Sequence, residues 1–80
     1  MNGLRVYTNP QSHETPGGYN IFYCRREDGP FYRWSYAEEL KQWRVARVRT
    51  ADLSPSALCM TNWKVVPDSL RVSMVDHYQD

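Results

Sequence analysis

The sequence has no apolar run approaching the ~18–20 residues a membrane-spanning helix requires, and it does not open with a secretory signal pattern. No membrane association is therefore expected, and the cytoplasm is the default compartment. Cysteine is scarce. Cys24 and Cys59, 35 positions apart, match neither a metal-knuckle spacing nor the dense framework of a small secreted scaffold. Reduced thiols are expected, with a single disulfide as the alternative if the fold brings the two together. An excess of one charge is also missing. Ten Lys and Arg against nine Asp and Glu give no global electrostatic grip on nucleic acid or anionic lipid.

Aliphatic mass is thin as well. Leu, Ile, Val and Phe total fifteen of 80 residues, a level at which chains with high net charge stay disordered. Here the net charge is low, and six Tyr and three Trp supply apolar mass. The prediction is one globular domain over residues 1–80 with an aromatic core, able to bury only about 60% of its unfolded surface.

Motifs that specify a reaction are absent too. No serine lies in a G-x-S-x-G elbow, and Gly17-Gly18 stands alone before a strand, so it cradles no phosphate. Asp76 and His77 are helix neighbours that point apart. The carboxylate pairs Glu27-Asp28 and Glu38-Glu39 belong to turns. His13, His77, Cys24 and Cys59 are the right atom types for zinc, but no two are close enough in sequence to form half a site. A chain this short also rarely encloses a pocket of several hundred Å3. No enzyme activity, cofactor or metal is expected.

What is present is a pattern of short strands. Residues 4–8 (LRVYT) suit a half-buried pleat and end at Asn9-Pro10; residues 9–18 read as a surface loop. Residues 19–26 and 31–36 flank Asp28-Gly29, a strong hairpin signal. A two-residue turn there pairs Tyr23 with Trp34 and Ile21 with Tyr36. Residues 43–49 alternate as a further strand, pairing Tyr36 with Trp43 and Trp34 with Val45; a continuous helix over 37–48, capped by Ser35 and Glu38, is the alternative. Ser54-Pro55 reads as the start of a short helix through about Met60, and Pro67 as the start of a second over 68–78. Leu70, Met74 and Tyr78 lie on one face of that second helix. The predicted fold class is α+β: a small antiparallel sheet of three to four strands packed against one or two C-terminal helices, in β-β-β-β-α order.

In this register one sheet face carries Ile21, Tyr23, Trp34, Tyr36, Trp43 and Val45 and receives the helix. The other carries Phe22, Cys24, Arg26, Phe31, Arg33, Arg44, Ala46 and Val48. Aromatics interleaved with arginine on an open sheet are what single-stranded nucleic acid binders use. The candidate binding face is therefore Phe22, Arg26, Phe31, Arg33 and Arg44. The plainer reading of the same residues is a second mini-core of Phe22, Phe31 and Val48 edged by arginine stems. Balanced charge favours a protein partner or self-association over nucleic acid, since Tyr, Trp and Arg also dominate protein interfaces. The sequence thus predicts a small non-enzymatic interaction module of unidentified partner, with a nucleic-acid-binding sheet as the alternative.

Overall fold

The computed structural model describes residues 3–9, 14–15, 18–53 and 57–79, with backbone alone at 14, 15, 18 and 19. Among these described residues, seven strands and one α-helix follow in order: β1 (Leu4–Thr8), β2 (Glu14–Thr15), β3 (Gly18–Tyr19), β4 (Ile21–Arg26), β5 (Phe31–Ala37), β6 (Gln42–Val48), β7 (Cys59–Thr61) and α1 (Asp68–His77). Five of the strands form one antiparallel sheet in the order β6-β5-β4-β1-β7. The fold is α+β as expected, with one strand more than the upper bound. The expected loop over residues 9–18 holds β2 and the first residue of β3, a ladder in which Glu14 opposes Tyr19.

Residues 37–48 form a loop and strand rather than a helix. β5 and β6 are joined by Glu38–Lys41, where Leu40 N–H donates to the Ala37 carbonyl and Lys41 takes φ 51°. The β5–β6 register is the expected one, with Trp34 opposite Val45 and Tyr36 opposite Trp43.

The β4–β5 register differs from expectation by one residue. Phe22, not Tyr23, opposes Trp34, and Cys24 opposes Tyr32. The cause is Pro30. A two-residue turn centred on Asp28-Gly29 requires residue 30 to donate its N–H to the Glu27 carbonyl, and proline has none. The turn moves back one position instead: Gly29 N–H donates to the Arg26 carbonyl at 2.8 Å, and Asp28 takes φ 60°. A Cβ at residue 29 would lie 3.2 Å from that same carbonyl oxygen, so glycine suits the site. A one-residue slip exchanges the faces of a strand. Ile21 and Tyr23 thus leave the helix side, and Phe22, Cys24 and Arg26 join it.

The core lies between the sheet and the C-terminal segment. Val6, Phe22, Cys24 and Trp34 contribute from the strands, and Val66, Leu70 and Met74 from below. Leu70 and Met74 are four apart, so they share one helix face, and both are fully buried. Fully burying side chains of this size is worth roughly 1.5–3 kcal/mol each. Asp68 in the first turn complements the helix dipole and pairs with Arg71. Pro67 precedes the helix as expected, and its carbonyl accepts from Arg71 N–H at 2.9 Å.

The expected helix does not reach Met60: Cys59–Thr61 is β7, paired to β1. Its proposed start, Ser54-Pro55, lies outside the described residues. What local helix signals could not register is that β1 would otherwise leave one edge of the sheet unpaired.

Candidate functional site

The register divides the five candidate residues between two faces. Phe22 is buried in the core, edge-on to Trp43 with ring centroids 6.0 Å apart. Arg26 also lies on the helix side; its Nη2 donates to the Tyr78 carbonyl at 3.0 Å, and its guanidinium sits over the Tyr78 ring. This arginine ties the end of α1 to the sheet. Only Phe31, Arg33 and Arg44 belong to the face away from the helix. The five therefore do not form one surface, and the missing N–H of Pro30 is the reason.

The residues now sharing that free face follow from the pairings. Tyr7 opposes Tyr23, Tyr23 opposes Arg33, and Arg33 opposes Ala46. In the adjacent rows Arg5 opposes Arg25, Phe31 opposes Val48, and Ser35 stands between Ile21 and Arg44. Four arginines and two tyrosines thus line one side of β1, β4, β5 and β6. Arg5, Tyr7, Tyr23 and Arg25 were absent from the sequence-derived set. The signal for the latter pair was Pro30; for β1 it was the alternation of Leu4 and Val6 with Arg5 and Tyr7.

Phe31 is 7% exposed and so offers no ring to a partner. Tyr7 packs against it at 5.7 Å between centroids, and the Arg25 guanidinium covers it at 4.8 Å. The expected mini-core exists in part: Phe31 and Val48 belong to it, and Phe22 does not. Arg5, Arg33 and Arg44 are exposed, whereas Tyr7, Tyr23 and Arg25 are half-buried. The ion pairs among the described residues are Arg49–Asp52 and Arg71–Asp68, so none of the four free-face arginines is neutralised by a described carboxylate.

Beside this face the segment after β6 forms a groove of about 370 Å3 with Tyr23, Arg33, Ala46, Val48, Asp52 and Leu53 in its walls. Its carboxylate is taken up by Arg49, whose Nε lies 3.3 Å from Asp52 Oδ2. A larger open groove of about 720 Å3 lies between the β4–β5 turn and the end of β6. The short chain therefore forms grooves of a size not expected of it, though they lie along its surface.

On the helix side, two titratable groups pack into the core, Cys24 and Tyr78. Cys24 is fully buried, accepts from the Trp34 indole at 3.0 Å and lies 3.3 Å from the Tyr78 hydroxyl. Burial pushes its thiol above the ordinary value and outweighs the two hydrogen bonds, with Tyr78 and Trp34, that act against it. Tyr78 is also pushed up, by burial first and then by its contact with Cys24. Such a thiol stays protonated and is a poor nucleophile. His77, exposed in the last helical turn, lies edge-on to Tyr32 and Trp34 at 4.7 and 5.5 Å. Cys59 is exposed on β7, and both cysteines are free. Strand β1 separates them, so two strand spacings of about 4.8 Å exceed the roughly 7 Å limit for a disulfide.

Among the described residues no three of His, Cys, Asp and Glu converge as metal ligands, and no helix is long and apolar enough to cross a membrane. No known protein family matches the chain, and no curated protein or solved structure is detectably similar to it.

Proposed function

We propose that the protein is a small non-enzymatic binding module that docks single-stranded nucleic acid on the free face of its sheet. The observation that carries this reading is charge placement. Arg5, Arg25, Arg33 and Arg44 occupy that face with no paired carboxylate among the described residues. The balanced net charge of +1 is an average over the whole surface. The described acidic side chains lie in the turns (Glu27, Asp28, Glu38 and Glu39), after β6 (Asp52), or on α1 (Asp68 and Asp76). A phosphate chain crossing β1, β4, β5 and β6 meets arginine in each strand. Tyr7 and Tyr23, directly opposed and half-buried, supply ring surface for bases. The two free thiols suit a reducing compartment, and the cytoplasm is our assignment.

A protein partner is the second reading, and one specific feature favours it. Trp63, Val72 and Val75 line a groove on the helix side rimmed by Arg71 and Asp76. Apolar groove walls with a charged rim are the anatomy of protein interfaces.

A labelled single-stranded oligonucleotide titrated across a salt gradient tests the first reading. Binding should weaken with salt at a log–log slope of about −2 to −3, from roughly 0.7 per neutralised phosphate. No binding at low salt overturns it. Binding insensitive to salt would move the partner to the apolar groove.

A further inference from the structure

We infer that Arg5 and Arg25 form a seat for one phosphate group, whether free or part of a nucleic acid backbone. The inference rests on the proposed use of the free face and names the anion's position on it. The two arginines oppose each other directly across β1 and β4. Directly opposed side chains on antiparallel strands begin about 5 Å apart, and like charges so placed destabilise the pair. Neither residue has an ion-pair partner among the described residues. Arg33 is a diagonal neighbour of Arg25 on β5 and adds positive charge rather than relieving it.

Arg25 is the organised half of the pair. Its guanidinium is fixed over Phe31 at 4.8 Å, and Phe31 is itself held by Tyr7. Its Nε is shut off from solvent without a hydrogen-bond acceptor. The like-charge repulsion and the unpaired nitrogen both cost stability in the free protein, and an anion bridging the two guanidinium groups relieves the first. Phosphate suits that bridge better than a carboxylate does. A carboxylate has two oxygens, both engaged by a single guanidinium fork, whereas a phosphate offers further oxygens to a second arginine.

The test is thermal unfolding of the full chain while sodium phosphate replaces sodium chloride at constant ionic strength. The melting temperature of the wild type should rise with phosphate, as for any ligand that binds the folded state alone. Arg5→Gln should abolish the phosphate-dependent rise. Without phosphate, the same variant should melt at or above the wild-type temperature, because the repulsion is gone. Arg25→Lys, which keeps the charge and loses the fork, should also lose most of the rise. Equal melting of the wild type in phosphate and chloride overturns the seat. So does an Arg5→Gln variant that keeps the full rise, or one that melts lower than wild type without phosphate.

An oligonucleotide arm separates this inference from the reading it rests on. Arg5→Gln should reduce the slope of log affinity against log salt by about 0.7. An oligonucleotide that fails to bind while the phosphate effect persists overturns the nucleic-acid reading and leaves the seat. Oligonucleotide binding with the same slope in wild type and Arg5→Gln overturns the seat and leaves the reading.

Discussion

The indole N–H of Trp34 donates to the thiol of Cys24 at 3.0 Å, across two strands and inside the core. This contact exists because the β4–β5 register opposes Cys24 to Tyr32, which places the thiol and Trp34 on one face in adjacent rows. It also supplies the indole with an acceptor where water cannot reach. Cys24→Ala removes that acceptor and should destabilise the fold by about 1–3 kcal/mol, the usual cost of a buried donor left unpaired. Trp34→Ala should cost more, about 3–5 kcal/mol, because it empties a large core volume. Urea titrations of both variants check the order. A Trp34→Ala loss within ~0.5 kcal/mol of zero would contradict the burial described above.

The two thiols should differ sharply in reactivity. Cys59 is exposed and Cys24 is closed off, with its thiol held protonated by burial. An aromatic disulfide reagent at neutral pH should therefore label one thiol per native chain, and the second only after denaturation. Rapid labelling of two thiols in the native protein would rule out the buried position of Cys24.

The same burial fixes the sign of an alkaline effect. The folded-state pKa of Cys24 lies above its ordinary 9.0, and that of Tyr78 above its ordinary 10.0. Above those ordinary values the unfolded chain loses protons that the folded chain keeps, so stability falls as pH rises. Melting temperature should be level up to about pH 8.5 and then decline. In Cys24→Ala the decline should start nearer pH 10, where tyrosine in the unfolded chain begins to ionise. A decline beginning at the same pH in both proteins would remove Cys24 as its source.

Asp28 carries a local cost that can be measured. Its φ of 60° is one that side-chain-bearing residues adopt at about 1–2 kcal/mol, with Asp among the more tolerant. Asp28→Val should destabilise by about that amount, since a β-branched side chain fits this region worst. Asp28→Gly should be close to neutral, because relief of the φ strain is offset by greater freedom in the unfolded chain. Denaturant midpoints for the pair decide it: equal midpoints for both variants would mean the turn does not constrain residue 28.

The strands and the helix were legible because each carries its own local signal. Leu4–Thr8 alternates, Asp-Gly marks a turn, and Leu70, Met74 and Tyr78 recur at helical spacing. The β5–β6 pairing was legible for the same reason, because aromatic faces on both strands agree. The face assignment of β4 was not, although the deciding atom was visible. Two registers each placed aromatics beside Trp34, since Phe22 and Tyr23 are both aromatic and adjacent. Hydrophobic pattern could not choose between them, and only the absent N–H of Pro30 could. Strand β7 is a different case: three residues long, it takes its shape from pairing with β1 and has little pattern of its own. The candidate site inherited the β4 error, keeping Arg33 and Arg44 and losing Phe22 and Arg26 to the helix side.

The split between faces gives the nucleic-acid reading an optical signature. All three tryptophans pack on the helix side: Trp34 in the core, Trp43 edge-on to Phe22 with its indole N–H on Ser69 Oγ, and Trp63 against the core cluster. A base stacking on Tyr23 should therefore leave tryptophan emission nearly unchanged while quenching tyrosine. Tyr23 is the ring to remove, because Tyr7 also holds Phe31 in place and its loss would disturb the fold. Tyr23→Ala should weaken oligonucleotide binding by about 1–3 kcal/mol for one base and leave the salt slope unchanged. Arg33→Gln should do the reverse in kind, lowering affinity for all sequences alike and flattening the slope by about 0.7. The two variants thus separate stacking from phosphate contact on a single surface. A large change in tryptophan emission on binding, with Tyr23→Ala unaffected, would place the partner on the other side of the sheet, against the groove beside Trp63.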